Sequence, residues 1–280
     1  MDEPLFARHD GPDGELFVAT SRALGPWDAQ ACHGGAPAAL LAALIDATPS
    51  HVPMPCVRLT YEIERPVLID VPLSSSVEVT RDGKRIQVVD AILRTAADTP
   101  QVPAGTTLVR CRAARVRAGD VLTPTAATDQ VPAPSPGPDA LPQGQGLEGS
   151  WATHEGFWTS VDVRFAQGSL AEVGPGIAWV RLLRPIADGV ASTPLARAAA
   201  TADFGNGVGS PLPIDRFVYI NPDLTVSLHR QPVGEWLAIS AGSVAQASGI
   251  GLTTSTLFDR DGRIGTAAQS LYIDTRGDAP

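Results

Sequence analysis

The chain has 280 residues, 44% of them hydrophobic and 18% charged, with a formal net charge of −9. That much apolar material suffices for a substantial core and excludes a disordered chain. The acidic balance excludes a general nucleic-acid binder, which needs many phosphate-neutralising cations.

No apolar run reaches the roughly 20 residues a helix needs to cross a bilayer, so no membrane partner is expected. The start, Met1-Asp2-Glu3-Pro4, lacks the basic and apolar regions of a signal peptide. The three cysteines, Cys32, Cys56 and Cys111, are widely spaced and odd in number, which suits reduced thiols in a cytoplasm better than a disulfide framework. The five histidines and three cysteines show no metal-ligand spacing, so no metal is expected.

In chain order, short extended pieces such as Leu16-Phe17-Val18-Ala19-Thr20 lead to His33-Gly34-Gly35-Ala36-Pro37, where proline sits in a first helical turn. The Ala- and Leu-rich run that follows, to about Ala47, predicts a helix apolar on nearly every face, so something must surround it. Val57 to Ile63 alternates apolar and polar residues, as a half-buried strand does. Ser76 to Arg81 and Ile86 to Leu93 flank Asp82-Gly83-Lys84, a hairpin connection, and Thr106 to Val116 alternates again. From Gly119 to about Ser150 periodicity dissolves into Pro, Ala, Gly, Asp and Ser, which predicts a linker across the surface.

The same grammar then returns. Thr159 to Phe165 and Ile177 to Leu183 alternate, and a second Ala-rich helix runs from Thr193-Pro194 to Asp203. Arg216 to Ile220, Leu224 to His229, Trp236 to Gly242, Gly249 to Phe258 and Gly265 to Ile273 are further strand candidates, with Asp259-Arg260-Asp261-Gly262 as a turn. The expectation is an α+β chain of two units, 1–118 and 151–280, joined by a linker over 119–150. Each unit would be an antiparallel sheet wrapped around a long Ala-rich helix.

This pattern resembles the double hot-dog fold, and the second half is similar to the TesB-like acyl-CoA thioesterase family. In that family an Asp at the end of the second helix, a Ser or Thr on the next strand and a Gln on the last strand hold a water. The resemblance carries those roles to Asp203 in Thr201-Ala202-Asp203-Phe204, Thr225 in Asn221-Pro222-Asp223-Leu224-Thr225, and Gln269 in Ala267-Ala268-Gln269-Ser270. Family members often have a charged residue or histidine after the Asp of the strand motif, where this chain has Asp223-Leu224. His-Gly-Gly also resembles the start of a hot-dog thioesterase helix, with Gly35, and Gly34 beside it, offering amides to the thioester oxygen. The first amides of a helix lack intrahelical partners and glycine admits a ligand close to the backbone, which fits that role.

The implied activity is hydrolysis of an acyl-CoA thioester by a water that Asp203 deprotonates while Thr225 and Gln269 orient it. No separate cofactor is implied, coenzyme A being part of the substrate, and the resemblance implies a homo-oligomer. Asp46 sits on the first helix roughly where Asp203 sits on the second, yet Ala191-Ser192-Thr193-Pro194 lacks a glycine pair, so one site per chain is expected. Adjacent Cys32 and His33 should point to opposite faces of an extended segment, which argues against a thiol–imidazole pair. Gly205-Asn206-Gly207-Val208-Gly209 follows a helix instead of joining a strand to one, so it reads as a flexible exit, not a phosphate loop. The rival readings are a non-catalytic acyl-CoA or acyl-carrier binding module and a hot-dog hydratase, whose Asp–His motif is not found here.

Overall fold

The computed structural model describes residues 3–12, 14–119, 131–148 and 155–276. The first half contains β1 (Phe6–Gly11), β2 (Gly14–Ala19), α1 (Gly35–Asp46), β3 (Cys56–Ile63), β4 (Pro72–Asp82), β5 (Ile86–Thr95) and β6 (Thr107–Val116). The second contains β7 (Val161–Gln167), β8 (Gly176–Leu182), α2 (Pro194–Ala202), α3 (Gly205–Val208), β9 (Phe217–Ile220), β10 (Asp223–Leu228), β11 (Leu237–Ala245), β12 (Ile250–Asp259) and β13 (Gly262–Thr275). This is the double hot-dog arrangement, α+β with an enclosed helix in each half.

The two expected sheets are one. Strands run β1-β2-β4-β5-β6-β3-β10-β13-β12-β11-β8-β7, with β9 on β13, and the halves join where β3 and β10 pair antiparallel. At that seam Thr225 lies opposite Thr60 and Val226 opposite Leu59. Joining the halves edge to edge satisfies backbone groups that two separate sheets would leave unpaired.

Helix α1 buries Gly35 to Ala43 and Ile45, as its composition requires. Its alanines and glycines let α2 approach closely: a Cβ on Gly35 would lie 3.1 Å from the Ala200 carbonyl. Tyr61 of β3 donates to the Ala38 carbonyl at 3.0 Å and pins the helix to the sheet. Beyond the helix, buried Arg115 donates to the Thr48 carbonyl at 2.7 Å, the Met54 carbonyl at 2.9 Å and Gln87 Oε1 at 2.9 Å. Helix α2 has nine residues, shorter than expected, and Asp203 is its C-cap.

The structure adds detail to one expectation and overturns another. Residues 120–130 and 149–150 of the linker lie outside the described residues, but 131–148 is not a plain surface crossing. Leu141 and Leu147 are buried, Arg164 donates to the Pro138 and Leu141 carbonyls, and Trp179 Nε1 donates to the Pro136 carbonyl. The segment looked featureless because carbonyls held by Arg164 and the Trp179 indole, with only two leucines, leave no periodic signal. Likewise 205–208 is no flexible exit. It is the short helix α3, buried throughout.

Candidate active site

Asp203 closes α2 and is 3% exposed. Asn221 Nδ2 donates to its Oδ1 at 3.0 Å, Gln269 Nε2 donates to the same oxygen at 3.4 Å, and His33 Nδ1 lies 3.0 Å from Oδ2. His33 comes from the approach to α1, Asn221 from the turn between β9 and β10, and Gln269 from β13. The cluster is therefore assembled across both halves of the chain.

The start of α1 explains why a carboxylate fits there. Gly34 is the N-cap and brings no capping side chain. A Cβ on Gly34 would lie 2.8 Å from Asp203 Oδ2, so the carboxylate of the facing helix fills the space a capping side chain would take. A negative charge at a helix N-terminus is stabilised by roughly 1 kcal/mol.

Gln269 is 1% exposed. Its NH2 group must point toward the Asp203 carboxylate, which only accepts, and that turns Oε1 the other way. Oε1 is buried without a hydrogen-bond partner. A Cβ on Gly205 would come within 2.6 Å of it, so the amide requires glycine at the start of α3. An unpartnered buried acceptor beside a carboxylate is costly unless something donates to it, as a bound water would.

The His33 ring is stacked on Phe157 at 4.7 Å and tilted against Phe204 at 4.9 Å. The Gly35 N–H donates to His33 Nδ1 at 3.0 Å. Nδ1 thus faces both an amide donor and a carboxylate oxygen. A ring nitrogen either accepts through its one lone pair or donates a proton, so Nδ1 can serve Gly35 or Asp203 Oδ2 but not both at once.

The sequence profile of the acyl-CoA thioesterase C-terminal domain matches residues 128–273, and that of the N-terminal domain matches 23–116. The chain belongs to the acyl-CoA thioesterase family. It is a thioester hydrolase. Among solved structures, one from Novosphingobium aromaticivorans is 21% identical over 97% of this thioesterase and 99% of that chain, with a TM-score of 0.71. A hot-dog protein from Alicyclobacillus acidocaldarius is 16% identical over 95% and 93%, TM-score 0.70. The acyl-CoA thioesterase II TesB2 of Mycobacterium marinum is 18% identical over 94% of each chain, TM-score 0.63. These likenesses carry the fold. No curated protein matches the chain.

Of the thioesterase's sequence-expected residues, Asp203, Gln269 and Gly34 come together and Thr225 does not. On β10, Leu224, Val226 and Leu228 face the core, which turns Thr225 and Ser227 to the opposite face of the sheet. Thr225 there lines a cavity with Ser240, Thr254 and Thr266. The polar group the family pattern seemed to put at Thr225 is supplied by Asn221, before the strand begins. Gly35 opens α1 beside Gly34, with its amide 3.0 Å from His33 Nδ1.

His33 and Asn221 are the site residues that sequence reasoning missed. His33 reads in the sequence as part of the His-Gly-Gly turn into α1, and its partner Asp203 lies 170 positions away. The asparagine had a legible signal: the alternation on β10 reserves the core face for Leu224, Val226 and Leu228. A polar group meant for that face must therefore come from outside the strand. Burial pushes the Cys32 thiol far above its ordinary range and the Cys56 thiol up to about 12, so neither is a nucleophile at neutral pH.

Proposed function

We propose that the thioesterase hydrolyses acyl-CoA at the Asp203 centre, with His33, Asn221 and Gln269 as its working partners. The juxtaposition of Asp203 with the Gly34 end of α1 carries this reading. A water donates one proton to Asp203 and the other to Gln269 Oε1, and its lone pair adds to the thioester carbonyl carbon. Asn221 holds Oδ1 in place, fixing the direction of attack.

With His33 Nδ1 protonated and donating to Asp203 Oδ2, that nitrogen no longer accepts, and the Gly35 N–H is free to point toward the developing oxyanion. An amide donor of this kind contributes roughly 10²–10³ in rate. Collapse of the tetrahedral species breaks the carbon–sulfur bond, and the proton taken by Asp203 leaves with the thiolate. The products are a carboxylic acid and coenzyme A. The reaction as written consumes only water, coenzyme A entering as part of the substrate.

Thiol release from butanoyl-, octanoyl- and palmitoyl-CoA by wild type and Asp203→Asn tests the reading. A fall in kcat/KM of at least about a hundredfold in the folded variant is expected for loss of a general base. Undiminished turnover would overturn the assignment. The His33–Asp203 contact also favours a second reading, reversible hydration of an enoyl-CoA by an Asp–His pair. Loss of the conjugated enoyl absorbance of crotonyl-CoA without thiol release would support that reading.

A further inference from the structure

Both Asp203 and Gln269 are sealed from solvent, so a thioester reaches them only where a wall yields. The segment Phe157–Ser160, a single 3-10 turn after Gly156, forms that wall. Its Trp158 indole stands edge-on to Phe204 at 4.8 Å and to His33 at 6.0 Å. Beneath it lies Gly207, where even a Cβ would be 3.7 Å from the ring.

Trp158 also lines two cavities on its solvent side. One, of about 260 Å³, is bounded by Gly25, Pro26, Gly156 and Arg276. The other, of about 420 Å³, includes Leu147, Val161, Val163 and Leu183, with Gln143, Thr159, Glu148 and the Arg164-paired Asp162 as its polar lining. Their chemistry differs. The first carries a guanidinium that lies 5.4 Å from the Trp27 ring and whose Nε is buried without a hydrogen-bond partner. The carboxylate that lines it, Glu155, is paired with Arg22 at 2.7 Å. The second carries four aliphatic side chains.

An acyl-CoA has two arms of matching chemistry that meet at the reacting carbon: a phosphorylated, anionic coenzyme arm and an apolar acyl arm. The geometry points to the Arg276 cavity as the seat of the coenzyme arm, the Leu147 cavity as the seat of the acyl chain, and Trp158 as the gate through which both reach Asp203. This rests on the reading that Asp203 is the hydrolytic centre. Arg276 takes phosphate charge as a bidentate donor, and the Trp27 ring beneath its guanidinium, 5.4 Å away, holds it in place. Displacing the indole joins the two cavities at His33.

The test compares each acyl-CoA with the same acyl group on N-acetylcysteamine, which has the thioester but no phosphates. In Arg276→Gln the ratio of kcat/KM for the CoA ester to that for the N-acetylcysteamine ester falls about tenfold, mostly through KM, and Arg276→Lys recovers part of it. In Trp158→Ala the preference for dodecanoyl over butanoyl esters rises about tenfold. A ratio unchanged in Arg276→Gln overturns the coenzyme seat, and a chain-length preference unchanged in Trp158→Ala overturns the gate. Should wild type turn over neither ester, the hydrolytic reading fails, and calorimetric titration with free CoA still decides the seat. Binding tenfold weaker in Arg276→Gln than in wild type supports it, and equal binding removes it.

Discussion

At its N-terminus α1 starts on Gly34, with no side chain of its own to cap it, whereas α2 starts on Thr193, whose hydroxyl accepts the Ala196 N–H at 3.2 Å ahead of Pro194. The C-terminal ends differ in the opposite sense. Helix α2 ends on Asp203, whose carboxylate is held by side chains from three other segments. Helix α1 runs out past Asp46 into Thr48, whose carbonyl is taken by Arg115. One end of the helix pair is thus finished by local capping and a structural cation. The other is left open and completed by a carboxylate from the facing half. A helix terminus becomes a site when its polar groups are not consumed locally.

The largest way to break this comparison is to neutralise each helix's terminal carboxylate in turn. Asp203→Asn should lower kcat/KM for acyl-CoA by about a hundredfold or more, while Asp46→Asn should stay within about twofold, both measured by thiol release on folded protein. The reverse order would mean the working end is the other one.

Next comes the polar partner. Asn221→Ala removes the 3.0 Å donor to Asp203 Oδ1 and should cost roughly tenfold in kcat, about 1.4 kcal/mol, within the range for a hydrogen bond to a charged group. Thr225→Ala, on the opposite face of the sheet, should leave steady-state kinetics within about twofold. A larger effect from Thr225 would restore it to the site.

A third variant moves stability while sparing chemistry. Arg115→Met leaves the Thr48 and Met54 carbonyls and Gln87 without their donor. It should cost on the order of 3 kcal/mol in urea unfolding with turnover per folded molecule retained.

The smallest effect is a pH dependence outside the Asp203 cluster. Burial alone would raise the Asp259 pKa. Arg230, bonded to both carboxylate oxygens, and the Val233 and Asp261 amides outweigh that and hold it below the usual carboxylate range. A folded pKa below the unfolded one means the unfolded chain binds the proton more readily, so this contribution is present above about pH 4. It is lost as the pH falls through the folded value. Urea unfolding between about pH 5 and 3 should show a shallower stability loss for Asp259→Asn than for wild type.

Much of this was legible in the chain. An Ala- and Leu-rich run with no polar face cannot sit on a surface, so α1 had to be enclosed, and its bounds follow from Gly-Gly before it and Thr48-Pro49 after it. Alternation gave β3, β5, β6 and β10 because one face of each meets the core, and Gln269 stood out as the polar residue on the buried face of β13. Those signals are local, with a period of two or 3.6 residues, and a single chain carries them openly. The meeting of His33 with Asp203, the entry of Asn221 where Thr225 was expected, and the engagement of the Gly35 amide had no such carrier. Each depends on which face of an element turns inward and on which distant segment packs against it. Only the closing of the sheet across the β3–β10 seam and the docking of α2 against the start of α1 decided that.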